Sequence, residues 1–171
     1  MLKIFVRHEN REDIPAIGKV NEAAFDTGAE ARLVDALRDG GVISLSLVAL
    51  INHGIVGHIL FSPVVIESES SSLAALGLGP MAVLPAYQRK GIGSELVKVG
   101  LEKCLALGLS AVVVLGHPDF YPRFGFVPST QYSIISEYDV PAEVFMVKEL
   151  RQGALAGQTG IAKYHHLFHQ L

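Results

Sequence analysis

Apolar residues recur along the chain in two periods, and the switches between them mark its elements. Residues 3–7, Lys3-Ile4-Phe5-Val6-Arg7, predict a first strand. Asn10 and Asp13 then offer a helix start, with Ile14, Ile17, Asn21 and Phe25 at helical spacing and Pro15 limiting how early the helix becomes regular. Thr27-Gly28-Ala29-Glu30 matches a capping box for a second helix, whose apolar stripe is Leu33, Val34 and Leu37 and whose end is Gly40-Gly41. Residues 44–66 predict a long hairpin turning at Asn52-His53-Gly54. The polar run Glu67–Ser72 is a turn, and Leu73 begins the next strand. Gly77, Gly79 and Pro80 interrupt that strand, which predicts a bulge or a close backbone approach. A helix ending at Gly108, a fully apolar strand Ala111–Leu115 and a last strand Val144–Val147 follow. The order is β-α-α-β-β-β-α-β, a short helix, then β-β, which describes a mixed α/β sheet with helices on both faces.

Residues 78–94 organise the rest. Met81–Leu84 is an apolar strand end, and Pro85 stops it because proline cannot donate to a sheet ladder. The turn Gln88-Arg89-Lys90-Gly91-Ile92-Gly93 follows, and from it Ile92, Leu96, Val97, Gly100 and Cys104 recur with helical spacing. The first N–H groups of a helix have no internal partner, and the helix dipole adds positive potential there, so this arrangement suits an anion. Gly91 and Gly93 would let that anion reach the backbone without meeting a Cβ. The spacing is neither that of a P-loop nor that of a dinucleotide fingerprint. An ordinary strand-to-helix connection with two exposed basic residues is the plainer alternative.

Composition narrows the picture. The chain has 171 residues, half of them hydrophobic, enough for one domain with a sizeable core and too apolar for disorder. No apolar stretch approaches a membrane span, and the N-terminus turns charged too early for a secretory signal. The single cysteine, Cys104, rules out a disulfide framework, points to a reducing compartment and falls on an apolar helix face as core. The net charge of −3 argues against a nucleic-acid surface.

The pattern Gln88-x-x-Gly91-x-Gly93 resembles the Gln/Arg-x-x-Gly-x-Gly/Ala turn of the GCN5-related N-acetyltransferases (GNAT), and the element order resembles that fold from residue 1 to about 152. The resemblance implies a central, mostly antiparallel sheet, splayed into a V where a thioester enters beside Ala111–Leu115. It implies one acetyltransferase domain over 1–152, with 153–171 as its C-terminal extension. It also implies acetyl-CoA as cosubstrate, with its pyrophosphate on Gln88, Arg89, Lys90, Gly91, Ile92, Gly93 and Ser94 and its pantetheine arm along Met81, Ala82 and Val83. The expected partners are acetyl-CoA and an amine acceptor, with no metal, nucleic acid or membrane; a homodimer is allowed, and the expected location is cytoplasmic. The runs from Ala24 to Arg38 and from Gly116 to Phe126 are similar to a group of uncharacterised bacterial acetyltransferases, which names no acceptor.

Acyl transfer from a thioester to an amine needs a neutral amine, a donor for the tetrahedral oxyanion and a proton for the leaving thiolate. In the family a backbone N–H on the bulged strand is the donor, and Pro80-Met81-Ala82 matches that place. A tyrosine just before a Gly-Phe pair commonly supplies the proton. Tyr121, ahead of Gly125-Phe126, is the matching residue; the alternative is one more aromatic in a cluster with Phe120, Phe124 and Phe126. No carboxylate or histidine lies in Leu76–Leu84, where many members carry a base. Glu30 could face the acceptor, though a capping role would explain it, and His58 on a core strand reads as a buried structural histidine. His165 and His169 have helical metal-pair spacing but lack a third ligand, so this stretch is expected as a solvated tail. An acyl-CoA-binding module without catalysis is the competing reading. A phosphate-ligand enzyme of another class is a third, disfavoured by the turn's spacing.

Overall fold

The computed structural model describes residues 2–170. The chain forms two compact units: one takes the chain up to Phe61, Pro80–Gly100 and the residues from His166 on, the other Ser62–Gly79 and Leu101–His165.

In the first unit, β1 (Phe5–His8) pairs antiparallel with β2 (Leu45–Ile51), and β2 with the first half of β3 (Gly54–Glu67). Asn52 and His53 both adopt positive φ, 49° and 70°, the geometry a two-residue hairpin turn demands. The helices α1 (Ile14–Ala24) and α2 (Ala29–Asp39) bury Ile17, Leu33, Val34 and Leu37 against Val48 and Leu60 of the hairpin. On the opposite face, Gly57 leaves room for Ile92 and Leu96, the opening turns of α3 (Ile92–Ala106), and Gly100 of that helix lies over the Phe61 ring.

In the second unit, β4 (Ser72–Val83) pairs parallel with β5 (Ala111–Leu115) through Leu76↔Val112, Gly77↔Val113 and Leu78↔Val114. The strand β5 pairs antiparallel with β8 (Phe145–Glu149), and β8 with β6 (Val127–Pro128). The close approach expected at Gly77 exists: a Cβ there would lie 2.7 Å from the Tyr164 ring.

Two expectations are corrected. The stretch holding the tail histidines is docked: β9 (Gly160–Tyr164) pairs antiparallel with β3 and parallel with β7 (Ile134–Ser136), and Ala162 is fully buried. Beyond it, Leu167 and Phe168 pack on the α2 cluster. The capping box at Thr27 does not form either: the cap residue is Gly28, and the Thr27 hydroxyl accepts from the Ala29 N–H at 3.3 Å. Glu30 belongs with the stripe of Leu33, Val34 and Leu37, three, four and seven residues on, and its Oε1 is buried without a hydrogen-bond donor.

Candidate active site

The strand end, the turn and the start of α3 lie together in the first unit. β4 stops at Val83; Leu84 donates its N–H to the Val56 carbonyl at 2.8 Å, and Pro85–Tyr87 make a single 3-10 turn. Gln88 is turned back on the strand, its Nε2 donating to the Val83 carbonyl at 3.0 Å. Arg89 and Gly91 take positive φ, 62° and 87°. A Cβ built on Gly91 would meet nothing within 4 Å, so the space over this backbone is open. The first bond of the α3 ladder is Glu95 N–H to Gly91 carbonyl, 3.1 Å, so the N–H groups of Ile92, Gly93 and Ser94 have no intrahelical acceptor. The Ile92 side chain is buried and anchors the turn, which leaves only its backbone for a ligand. Arg89 and Lys90 are exposed beside it, Lys90 5.8 Å over the Tyr87 ring. An oxygen-rich anion fits this cradle: open backbone, free N–H groups, dipole and local positive charge agree.

A chain match covers the same stretch. Residues 43–128 match the family model described as an acetyltransferase (GNAT) domain. The uncharacterised N-acetyltransferase YhbS of Escherichia coli K12 is 35% identical over 168 residues, 98% of this chain and 99% of that protein.

The chain belongs to the GNAT family.

Its fold and activity class follow: a mixed sheet flanked by helices, and acetyl-CoA-dependent acyl transfer to an amine. The crystal structure of E. coli YhbS in complex with CoA has a TM-score of 0.92 over 99% of this chain and 93% of that one. A GNAT acetyltransferase from Brucella melitensis in complex with acetyl-CoA has a TM-score of 0.80 at 33% identity, over 98% of this chain and 99% of that one. Among the described residues no helix is long and apolar enough to cross a membrane, and no three His, Cys, Asp or Glu side chains gather in a metal-binding group.

Tyr121 lies in the second unit, 6% exposed, edge-on to Phe120 and Phe126 at centroid distances of 5.0 and 5.6 Å. Burial pushes its phenol up to about 12, so it stays protonated across the neutral range. The aromatic cluster expected from the sequence exists, and Tyr121 is part of it.

The GNAT sequence pattern did not reveal a second feature, a polar chain in the first unit that runs from part-buried Arg38 and Glu9 to fully buried His58 and Asn21. Arg38 donates to Glu9 through Nη2 at 3.0 Å and Nε at 3.2 Å. The Ser46 hydroxyl donates to Glu9 Oε1, and Ser46 Oγ lies 2.8 Å from His58 Nε2. Asn21 Nδ2 reaches His58 Nδ1 at 3.2 Å and the Ile17 carbonyl at 3.0 Å. An amide NH₂ only donates, so Nδ1 accepts and the neutral imidazole carries its proton on Nε2, directed at Ser46. Burial drives the His58 pKa down to about 4, with Glu9 opposing and Arg38 adding to the shift. Burial raises the Glu9 pKa, but hydrogen bonds from Arg38 and Ser46 outweigh it and hold the carboxyl below its ordinary range. His58 is thus the buried structural histidine the sequence predicted. Its outer neighbours Glu9, Arg38 and Ser46 line an open hollow of about 320 Å³.

Proposed function

We propose that the protein transfers the acetyl group of acetyl-CoA to the primary amine of a small molecule or protein. The backbone N–H groups and basic side chains of residues 88–94 take the pyrophosphate, and the backbone of Met81–Val83 takes the pantetheine arm. Acetyl-CoA supplies the activated acyl group; the chain's residues align it, stabilise charge and supply a proton. The amine nitrogen bonds to the thioester carbon, a backbone N–H of the Pro80–Ala82 stretch donates to the oxyanion, and the C–S bond then breaks. Tyr121 gives its proton to the leaving thiolate and regains one as the new amide nitrogen sheds its own to solvent. One functional domain, 1–152 with 153–171 as its extension, working in the cytoplasm, is part of this reading. The observation that carries it is the turn at Gly91: positive φ, open space and a helix start with unspent N–H groups.

A mass-spectrometric amine screen coupled to release of free thiol tests it. The expected result is thiol release matched by acetylated amine. With that amine, Tyr121→Phe keeps the ring and loses the donor; turnover should fall by roughly 10²–10⁴-fold with acetyl-CoA affinity unchanged. Turnover within about threefold of wild type, well below a general acid's usual effect, reduces Tyr121 to packing. Tight acetyl-CoA binding with no thiol release from any amine favours the non-catalytic module, a reading supported by the absence of a carboxylate or histidine in Leu76–Leu84.

A further inference from the structure

Gly116 directly follows β5, and its backbone conformation does not call for glycine. It lacks the positive φ of Gly91 and Gly125. Its N–H donates to the Val144 carbonyl at 2.9 Å, one step beyond the Leu115↔Phe145 pair, so it continues the β5–β8 ladder as any strand residue could. What a side chain would meet is the Tyr121 ring. A Cβ on Gly116 would lie 2.3 Å from Cε2, 2.9 Å from Cδ2 and 3.3 Å from Cζ of that ring. Ordinary van der Waals contact begins at 3.4 Å, so the ring occupies the place a Cβ would need.

The chain turns back at once to make this contact. The N–H groups of Phe120 and Tyr121 both bond to the His117 carbonyl, at 3.1 and 3.4 Å, and Tyr121 opens the 3-10 turn Tyr121–Phe124. Phe120 and Phe126 meet the ring edge-on. No described residue hydrogen-bonds the Tyr121 hydroxyl, so packing of the ring alone sets where the hydroxyl points. In that packing Gly116 is the contact with no room to spare, and it lies at the hydroxyl end, because Cζ carries the oxygen and Cε2 is its neighbour.

The place is informative as well. β5 pairs with β4 only from Leu76↔Val112 to Leu78↔Val114. Gly79, the next residue of β4, has a φ of 134°, and Leu115 has no β4 partner. After four buried residues of β5, Leu115 is 37% exposed. Gly116 therefore stands just past the point where the two strands part, held from the β8 side.

We propose that Gly116 is a positioning residue for the Tyr121 phenol: having no Cβ, it lets the ring lie across the end of β5, where the strands part and the leaving thiolate needs its proton. The inference rests on the acetyl-transfer reading above, with Tyr121 as its acid. Proton transfer needs the phenol oxygen within hydrogen-bond reach of the sulfur, and a misplacement of about 1 Å can cost about 100-fold in rate. Any side chain at position 116 forces a shift of that size, since a 2.3 Å contact must open to 3.4 Å. The bond from Gly116 N–H to Val144 holds the backbone in place, so the ring has to move.

The test is a double-mutant cycle in the full chain, run on the amine found by the screen, with acetyl-CoA affinity measured by calorimetry for every variant. Gly116→Ala should lower kcat about 100-fold and leave acetyl-CoA affinity unchanged. In a Tyr121→Phe background the same change should move kcat by less than about threefold, because the proton donor is already gone. A role in packing alone gives an equal loss in both backgrounds; that result overturns the inference and leaves acetyl transfer intact. So does a Gly116→Ala protein within about threefold of wild type, far short of a 1 Å misplacement. Where Gly116→Ala fails to fold, Gly116→Ala/Tyr121→Leu is compared with Tyr121→Leu by urea unfolding and turnover. The smaller side chain should restore the fold, with turnover equal to that of Tyr121→Leu; a double variant that stays unfolded means that the ring is not what Gly116 accommodates. Wild-type turnover in Tyr121→Phe removes the acid and this inference with it. A wild type that binds acetyl-CoA and releases no thiol with any amine overturns the acetyl-transfer reading itself.

Discussion

The turn at residues 88–94 and the polar chain from Arg38 to Asn21 are built on opposite plans. The turn is contiguous, exposed and made of backbone groups; its charged side chains stand at the edge of an open surface. The polar chain is drawn from five places in the sequence, is made of side chains apart from the Ile17 carbonyl at its end, and closes around a fully buried histidine. A contiguous backbone site tolerates changes of side chain and fails when the backbone path is blocked. A dispersed buried network fails at any member, because each loss leaves a neighbour unmet in a low-dielectric interior.

The largest expected effect tests the second half of that contrast. His58→Leu strips Asn21 and Ser46 of a partner at once, and urea unfolding should show a loss of about 3 kcal/mol. A loss below about 1 kcal/mol, the worth of a single ordinary hydrogen bond, would mean that the chain is not coupled.

Proton uptake should expose the same network. His58 titrates near 4 when folded and near 6.5 when unfolded, so the unfolded chain binds its proton first on acidification. Stability is then fully present above about pH 6.5, falls as pH drops toward 4 and levels off below, by about 3 kcal/mol in all. Glu9 and Asp13, both held below the ordinary carboxylate range, add losses of the same sign at lower pH. Unfolding measured against pH should give this slope in wild type and a flatter one between pH 6.5 and 4 in His58→Leu. Identical slopes would remove His58 from the account.

For the turn, Gly91→Val is the decisive break. The new Cβ strains a φ of 87° and occupies the open space an anion would need. Acetyl-CoA affinity measured by calorimetry should fall about 100-fold or more in a folded protein, roughly two hydrogen bonds' worth. Unchanged affinity would detach the turn from the ligand.

The smallest effect sharpens the comparison. Lys90→Ala removes one exposed charge and leaves every N–H in place. Affinity should fall by less than about tenfold, and the difference from wild type should shrink in 0.5 M salt, where exposed charges are screened. A loss as large as that of Gly91→Val, or one insensitive to salt, would make this a side-chain site after all.

Sequence alone determined what short-range rules govern. Pro85 and Gly108 set element ends, Ala111–Leu115 declared itself as a buried strand by an unbroken apolar run, and Asn52-His53 made the hairpin turn. The phosphate turn was legible for the same reason: strand, glycines and helix start are consecutive, so their geometry follows from local backbone preferences. Tertiary structure decided the rest. Thr27 and Glu30 carried the spacing of a capping box, but the stripe of Leu33, Val34 and Leu37 sets how α2 is turned, and it leaves Glu30 half-buried with its Oε1 out of solvent. The strand β9 was hidden because Gly160-Ile161-Ala162-Lys163-Tyr164 has neither the unbroken apolar run of Ala111–Leu115 nor more than one fully buried position, and its pairing with β3 and β7 supplied the hydrogen bonds that make it a strand. The polar chain was out of reach for a further reason. Asn21 and His58 are 37 positions apart, as are Glu9 and Ser46. Nothing in the spacing of a lone serine, histidine and asparagine announces that folding will desolvate them together. Only packing of α1 and α2 on β2 and β3 removes the water that would otherwise have satisfied each one, and so turns three unremarkable residues into one another's obligatory partners.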